Sequence, residues 1–324
     1  MISASQFKPA WWLSNAHSQT MLAKYLKRKQ HVSLITEKFS TSDGDFVELA
    51  WTEKPNEHDI KPIVVLLHGL EGSKDSHYAK GMLQAIKAQG WCGVLMHFRG
   101  CGEFQNRFGA SYHSGDTKDI HHFSQWLAKQ YPNHPKALVG FSLGGNVTIK
   151  YLGEVEQSPF KVASVICAPL DLASCSLRIS QGFSKVYENY LLNMLKNSTI
   201  EKINAKKLPQ LCEKKITSLS SIWQFDDYVT GPINGFEDAQ DYYQQSSGKQ
   251  FLSHVNQPCL IIHAQDDPFL SHQHIIDLPA NLPAHIKFEV IPKGGHVGFI
   301  AGNNPFRPVF WLEQRIPAFL SEHL

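Results

Sequence analysis

Near its midpoint the chain reads Ala137-Leu138-Val139-Gly140-Phe141-Ser142-Leu143-Gly144-Gly145, an apolar run that ends in the motif G-x-S-x-G. The run is typical of a buried strand, and a helical pattern begins at Leu143. A serine at such a sharp strand-to-helix turn has a strained backbone, and a β-carbon at either flanking glycine would collide with the neighbouring strand or helix. We therefore predict that Ser142 is a nucleophile whose hydroxyl group projects above a sheet.

Short apolar runs alternate with longer helical patterns on both sides of this motif. Such alternation is typical of buried parallel strands joined by right-handed helical crossovers. The expected strands are 63–67, 92–97, 137–141 and 162–167, and the expected helices between them are 78–89, 116–130 and 143–154.

The ends of the chain add further strands to this pattern. Residues 32–38 and 46–52 flank an Asp43-Gly44 turn signal and predict an antiparallel hairpin. Two later strands, at 259–263 and 286–291, precede a closing helix at 309–320. The sequence therefore predicts an α/β fold with a mostly parallel central sheet of about eight strands.

A long interruption separates the strand that ends at Cys167 from the next strand. Its roughly 90 residues have helical patterns but no sheet pattern of their own, and they are too apolar for a disordered linker. We expect a helical cap, residues 171–250, inserted into a core formed by residues 1–170 and 251–324.

A serine hydroxyl is a weak nucleophile until a base takes its proton, so the prediction for Ser142 requires a histidine. Among 17 histidines, His296 stands between glycines in a loop directly after the last strand, and that loop reaches the sheet edge where Ser142 stands. His296 is therefore the predicted base. It also comes last in the order serine, aspartate, histidine that this motif favours.

The acid that orients the histidine should follow the preceding strand, where the chain offers Asp266 and Asp267. We favour Asp267 because it is the third residue beyond Ala264 and because Pro268 restricts its loop. Such an acid fixes the histidine tautomer and stabilises the imidazolium. Asp266 is expected to be a bystander, either a solvated loop carboxylate or a turn cap.

The oxyanion hole is expected where the strand at 63–67 runs into His68-Gly69-Leu70-Glu71-Gly72-Ser73. The backbone N–H groups of Leu70 and Leu143 are the predicted donors, and His68 is expected to shape the loop. Residues 69–74 have the wrong spacing for a phosphate-binding loop, so no nucleotide cofactor is expected.

Composition bears on the partners and on the location of the protein. The 31 basic and 29 acidic side chains are dispersed, so we expect no nucleic-acid partner. The first six residues lack the pattern of a signal peptide, and no apolar stretch is long enough to span a bilayer, so we expect a cytoplasmic protein. His272 and His274 are candidate metal ligands, but the sequence has no second cluster or HExxH motif to accompany them, and we expect no metal.

The combination of motifs resembles the YheT-like family of α/β-hydrolases, which is related to the ABHD lipase-type proteins and to yeast ethanol acyltransferases. The resemblance covers nearly the whole chain and assigns the triad to Ser142, Asp267 and His296. This chain has Asn15-Ala16-His17 where the family tends to have Asn-Pro-His. The similar segments are 11–20, 68–73, 98–102, 112–115, 140–146, 225–227, 266–269 and 295–296.

The resemblance implies the α/β-hydrolase fold and a serine hydrolase that cleaves carboxylic esters, such as short or medium acyl esters and monoacylglycerol-like lipids, through an acyl-enzyme. An acyltransferase that passes the acyl group to an alcohol is the alternative, because an alcohol can replace water in the second step. A non-catalytic binding protein of this fold is a further alternative. We expect a small acyl ester as the partner, an apolar acyl tunnel under residues 170–250, and a cap that allows peripheral contact with lipid.

Overall fold

The computed structural model describes residues 5–26, 32–271 and 282–324, together with the backbone of a first strand at residues 2–3. The candidate metal ligands His272 and His274 lie outside the described residues. The strands are β1 (Ile2–Ser3), β2 (Ile35–Ser40), β3 (Phe46–Trp51), β4 (Ile63–Leu67), β5 (Cys92–Met96), β6 (Lys136–Phe141), β7 (Val162–Ile166), β8 (Cys259–Ala264), β9 (Ile286–Ile291), β10 (Ile300–Ala301) and β11 (Val309–Phe310).

Within the described residues, nine strands form one sheet in the order β1-β9-β8-β7-β6-β4-β5-β3-β2. The pairs from β5 through to β1 are parallel, whereas β3 is antiparallel to both β5 and β2. The predicted α/β fold is confirmed, with a two-residue ninth strand, β1, and a separate antiparallel pair, β10 and β11, that the pattern did not indicate. These extra strands are two residues long, too short for a periodicity to reveal.

Helices cover both faces of the sheet because successive strand residues point to opposite sides. In β4, Ile63 and Val65 join one apolar cluster while Val64 and Leu66 join the other. Helices α3 (Lys118–Gln130) and α4 (Leu143–Glu154) pack on the first face, and helices α2 (His77–Ala88) and α11 (Leu312–Ser321) pack on the second. The described α-helices of the core are α1 (Ala16–Leu22), α2 (His77–Ala88), α3 (Lys118–Gln130), α4 (Leu143–Glu154) and α11 (Leu312–Ser321).

Helices fill the segment between β7 and β8 and have a small apolar core of their own, built around Leu192, Ile216 and Phe225. None of the helices in the described part of the chain is both long and apolar enough to cross a bilayer. The helices of this segment are α5 (Leu172–Ile179), α6 (Lys185–Asn204), α7 (Glu213–Ser218), α8 (Ile222–Phe225), α9 (Gly231–Ile233) and α10 (Ala239–Ser246). Shorter turns are the 3-10 helices Trp11–Leu13, Gly182–Ser184 and Gly248–His254 and the π-helix Asp226–Thr230.

Candidate active site

Ser142 occupies the sharp turn between β6 and α4 with φ 51° and ψ −120°, a left-handed conformation that L-residues rarely adopt. A β-carbon at Gly140 would lie 2.4 Å from the Gly144 carbonyl oxygen, and one at Gly144 would lie 2.5 Å from the His68 carbonyl oxygen. The steric reason predicted for these glycines is therefore confirmed. The turn places Ser142 at the amino end of α4, where free N–H groups and the helix dipole favour negative charge.

The structure brings the three predicted side chains together, although they are far apart in the sequence. His296 Nε2 lies 3.0 Å from Ser142 Oγ, and His296 Nδ1 lies 2.8 Å from Asp267 Oδ2. Asp267 is 2% exposed and His296 is 8% exposed. Asp267 follows β8 and His296 follows β9, so both side chains reach the sheet edge where β6 ends at Ser142.

Burial by itself would raise the pKa of the Asp267 carboxyl, but the neighbouring charge of His296 and the hydrogen bond between the two side chains hold that pKa below its usual value. The carboxylate is therefore ionised at neutral pH. An ionised acid at Nδ1 favours the tautomer that leaves Nε2 free to accept the serine proton.

Asp266 lies beside the site with a different set of partners from Asp267. Its Oδ1 accepts hydrogen bonds from the backbone N–H groups of Gly294, at 2.8 Å, and Gly295, at 2.9 Å. The expectation of a bystander therefore needs correction, because this carboxylate fixes the loop that carries His296. The pattern of the sequence could not show this, since the bonded amides lie 28 and 29 residues away.

The two predicted oxyanion donors are the backbone amides of Leu70 and Leu143, and the amides on either side of Leu70 are bonded to tyrosines. Tyr78 accepts the N–H of Gly69 and Tyr112 accepts the N–H of Glu71, each at 2.8 Å. Across residues 5–26, 32–271 and 282–324, the amides of Leu70 and Leu143 donate to no partner. The loop after β4 lies close to the turn at Ser142, because a β-carbon at Gly69 would lie 3.2 Å from Ser142 Cβ. Sequence reasoning missed both tyrosines.

His68 holds the loop after β4 as a neutral ring. Its Nδ1 bonds the Gly69 carbonyl at 2.7 Å, and its Nε2 accepts the N–H of Phe98 at 3.0 Å. A ring that donates at one nitrogen and accepts at the other carries a single proton. Burial, with the nearby His97 ring, lowers the pKa of His68 to about 3. Its contacts fit the shaping role that the sequence predicted.

Acid is expected to destabilise the fold through His68. The unfolded chain titrates near the usual value of 6.5, well above the folded pKa of about 3, so between these values only the unfolded chain binds the proton. The free energy of unfolding should therefore fall as the pH drops below 6.5, by up to about 1.4 kcal/mol per pH unit for this group.

Urea unfolding at about pH 7 and about pH 5 measures this effect in the native chain and in His68→Gln. Glutamine is the replacement because its side-chain amide can also donate and accept hydrogen bonds. The variant should lose less stability between the two pH values. His58→Gln, at an exposed histidine, is the control. An equal loss in the native chain and His68→Gln would contradict the assignment.

Phe269 packs flat against the ring of His296, with ring centroids 4.1 Å apart and planes 11° from parallel. Tyr187 of α6 in turn contacts Phe269, at 4.9 Å between centroids. These rings limit the rotation of the histidine and join it to the helices between β7 and β8. The sequence offered no signal for this beyond the family segment that contains Phe269.

A cavity of about 1200 Å³ opens at Ser142 and His296. Apolar side chains from the helices between β7 and β8 line much of it. Asp226 is a buried exception among them, and its carboxylate accepts hydrogen bonds from Thr230 and Tyr243, both at 2.6 Å. Burial raises the pKa of Asp226 to about 6. The apolar lining includes Ile179, Leu191, Met194, Phe225, Val229 and Ile233.

Cys167, Asp267 and His296 each place one possible metal-binding atom within 4.8 Å of the others. The separation of 2.8 Å between Asp267 and His296 leaves no room for an ion between them. Burial also raises the pKa of the Cys167 thiol well above its usual value. These atoms fit a hydrogen-bonded pair rather than a metal site.

The chain is similar to several known proteins. A family model described as "alpha/beta hydrolase fold" matches residues 62–302. The putative esterase YheT of Escherichia coli is 42% identical across 99% of this chain and 95% of that protein. A monoacylglycerol lipase of Saccharomyces cerevisiae is 29% identical across 82% of this chain and 60% of that protein. Human phospholipase ABHD3 is 25% identical across 91% of this chain and 74% of that protein.

Among solved structures, the esterase Pf2001 of Pyrococcus furiosus aligns with a TM-score of 0.58 over 90% of this chain and 93% of that chain. Its sequence identity is 16%, so this likeness concerns the fold alone.

Proposed function

The chain belongs to the α/β-hydrolase family, in its YheT-like branch, and we propose that it is a serine hydrolase that cleaves carboxylic esters through an acyl-enzyme. The observation that carries the proposal is the line of hydrogen bonds from Ser142 through His296 to Asp267. An imidazole between a hydroxyl and a buried carboxylate is the arrangement that activates a serine.

In the proposed mechanism, Ser142 Oγ attacks the ester carbonyl carbon while His296 Nε2 takes the hydroxyl proton. The carbonyl oxygen becomes an oxyanion, and the N–H groups of Leu70 and Leu143 stabilise it. Collapse of this intermediate breaks the bond to the alcohol, which leaves with the proton from His296. A water molecule then repeats the sequence on the acyl-enzyme, releases the acid and returns the proton to Ser142.

We propose that acyl chains of medium length occupy the apolar part of the cavity, under a cap formed by residues 171–250. The volume of about 1200 Å³ and the aliphatic lining support this, as do relatives named as a monoacylglycerol lipase and a phospholipase. Phe183, Val186 and Tyr190 are each at least half exposed on the cap and would provide peripheral contact with lipid.

A series of p-nitrophenyl esters and monoacylglycerols of increasing acyl length tests the proposal, with Ser142→Ala as the control. Each added methylene should raise kcat/KM by up to about fourfold until the pocket is full, because each burial contributes about 0.8 kcal/mol. Rates below and above the aggregation point of the monoacylglycerol test the lipid contact. Activity that is highest for acetate, or that persists in Ser142→Ala, would contradict the proposal.

A further inference from the structure

The loop that carries His296 has an unusually strained backbone. Gly295, Val297 and Phe299 have φ values of 61°, 56° and 47°, all in the left-handed region. A β-branched or bulky residue there costs roughly 1–2 kcal/mol and persists only where its surroundings fix it. The residues around this loop must therefore hold it in that conformation.

The N-terminal residues supply several of those contacts. The side chain of Gln19 is fully buried, and its Nε2 donates to the carbonyls of Leu13 and Ile300 at 2.9 and 3.0 Å. Its Oε1 accepts the N–H of Ile300 at 2.7 Å. Thr20 Oγ1 accepts the N–H of His296 itself at 2.9 Å. One amide and one hydroxyl from α1 thus hold both ends of the strained loop.

Backbone packing leaves no space between α1 and this loop. A β-carbon at Gly295 would lie 2.6 Å from the Ala16 carbonyl oxygen, and one at Gly298 would lie 2.6 Å from the Gln19 carbonyl oxygen. On its other side α1 contacts the cap, where His17 Nδ1 lies 3.0 Å from the hydroxyl of Tyr187. The helix therefore lies between the histidine loop and α6.

We propose that helix α1 positions His296 through the side chains of Gln19 and Thr20, and that Thr20 is the positioning residue. The inference rests on the proposed function. The Thr20 hydroxyl donates to the Ala16 carbonyl at 2.7 Å, so its lone pair faces the His296 amide in a fixed direction. This bond sets the height of the histidine backbone above the sheet and so the separation of Nε2 from Ser142 Oγ.

The test compares Thr20→Val, which keeps the shape but removes the acceptor, with Thr20→Ser, which restores it. Thr20→Val should lower kcat by about 10- to 100-fold, because a small misplacement of a reacting group costs that much, while KM changes little. Thr20→Ser should recover most of the rate. Ser18→Ala is the matched control on the same helix, because the Ser18 hydroxyl bonds only the Asn15 carbonyl within the described residues.

A second readout separates positioning from general damage to the fold. The proton between His296 and Asp267 should give a downfield NMR signal, and Thr20→Val should shift or broaden it while thermal unfolding still occurs in one cooperative step. Wild-type kcat in Thr20→Val, or no rescue by Thr20→Ser, would overturn the inference. Activity that survives in Ser142→Ala would instead overturn the proposed function, so the two failures are distinguishable.

Discussion

Replacement of His296 by alanine is expected to abolish the burst of p-nitrophenol that marks formation of the acyl-enzyme. Without the imidazole 3.0 Å from Ser142 Oγ, the hydroxyl keeps its proton and remains a poor nucleophile. The loss of kcat should approach about 10⁶-fold, because residues that act as one unit lose nearly everything when one member is removed. Stopped-flow measurement with a p-nitrophenyl ester gives the burst amplitude directly.

Three further variants complete the experiment on His296. Ser142→Ala should lose a similar factor, and the double variant should be little worse than either single variant, because the two side chains act together. His254→Ala, at an exposed histidine, should keep its burst. An undiminished burst in His296→Ala would remove this histidine from the mechanism.

The second large effect is expected from Asp267→Asn, with a loss of about 10⁴-fold in kcat. An asparagine amide at this position would donate to His296 Nδ1, which moves the ring proton to Nε2. That nitrogen could then no longer accept the proton of Ser142. The side chain would remain of nearly the same size, so the fold should keep its stability and the loss should appear in turnover.

The neighbouring variant Asp266→Asn is the matched control for this experiment. An amide oxygen can still accept the N–H groups of Gly294 and Gly295, so the loop should survive with a loss of about tenfold or less. Steady-state kinetics of both variants on one ester measures the contrast. A greater loss in Asp266→Asn than in Asp267→Asn would reverse the roles proposed for the two acids.

Much of the fold could be predicted because its signals are local. Each parallel strand is a short apolar run, and the turn at Ser142 combines the end of a strand, three glycines and the start of a helix within nine residues. His296 could be placed by topology, since loops after parallel strands meet at one edge of the sheet. The two-residue strands are too short to produce a pattern. The closing helix begins at Leu312, later than expected, because such patterns do not fix the end of a helix to within a few residues.

The contacts that hold the site could not be predicted from the sequence. Thr20 is 276 residues from His296, and Tyr112 is 41 residues from Glu71, whose N–H group donates to it. A threonine or tyrosine has no periodic signal that reveals a distant partner. The choice between Asp266 and Asp267 had the same difficulty, because side chains in a loop follow no fixed alternation.

Tyr78 and Tyr112, which contact the backbone on either side of Leu70, bear on the proposed mechanism. Their hydroxyl groups accept hydrogen bonds from the N–H groups of Gly69 and Glu71, on either side of Leu70, before any ester binds. In the proposed mechanism the remaining donor is therefore already oriented, and charge developing on the carbonyl oxygen meets a dipole that does not have to turn. Such preorganisation reduces the reorganisation energy of the chemical step, so acyl transfer to Ser142 should need little rearrangement of this loop.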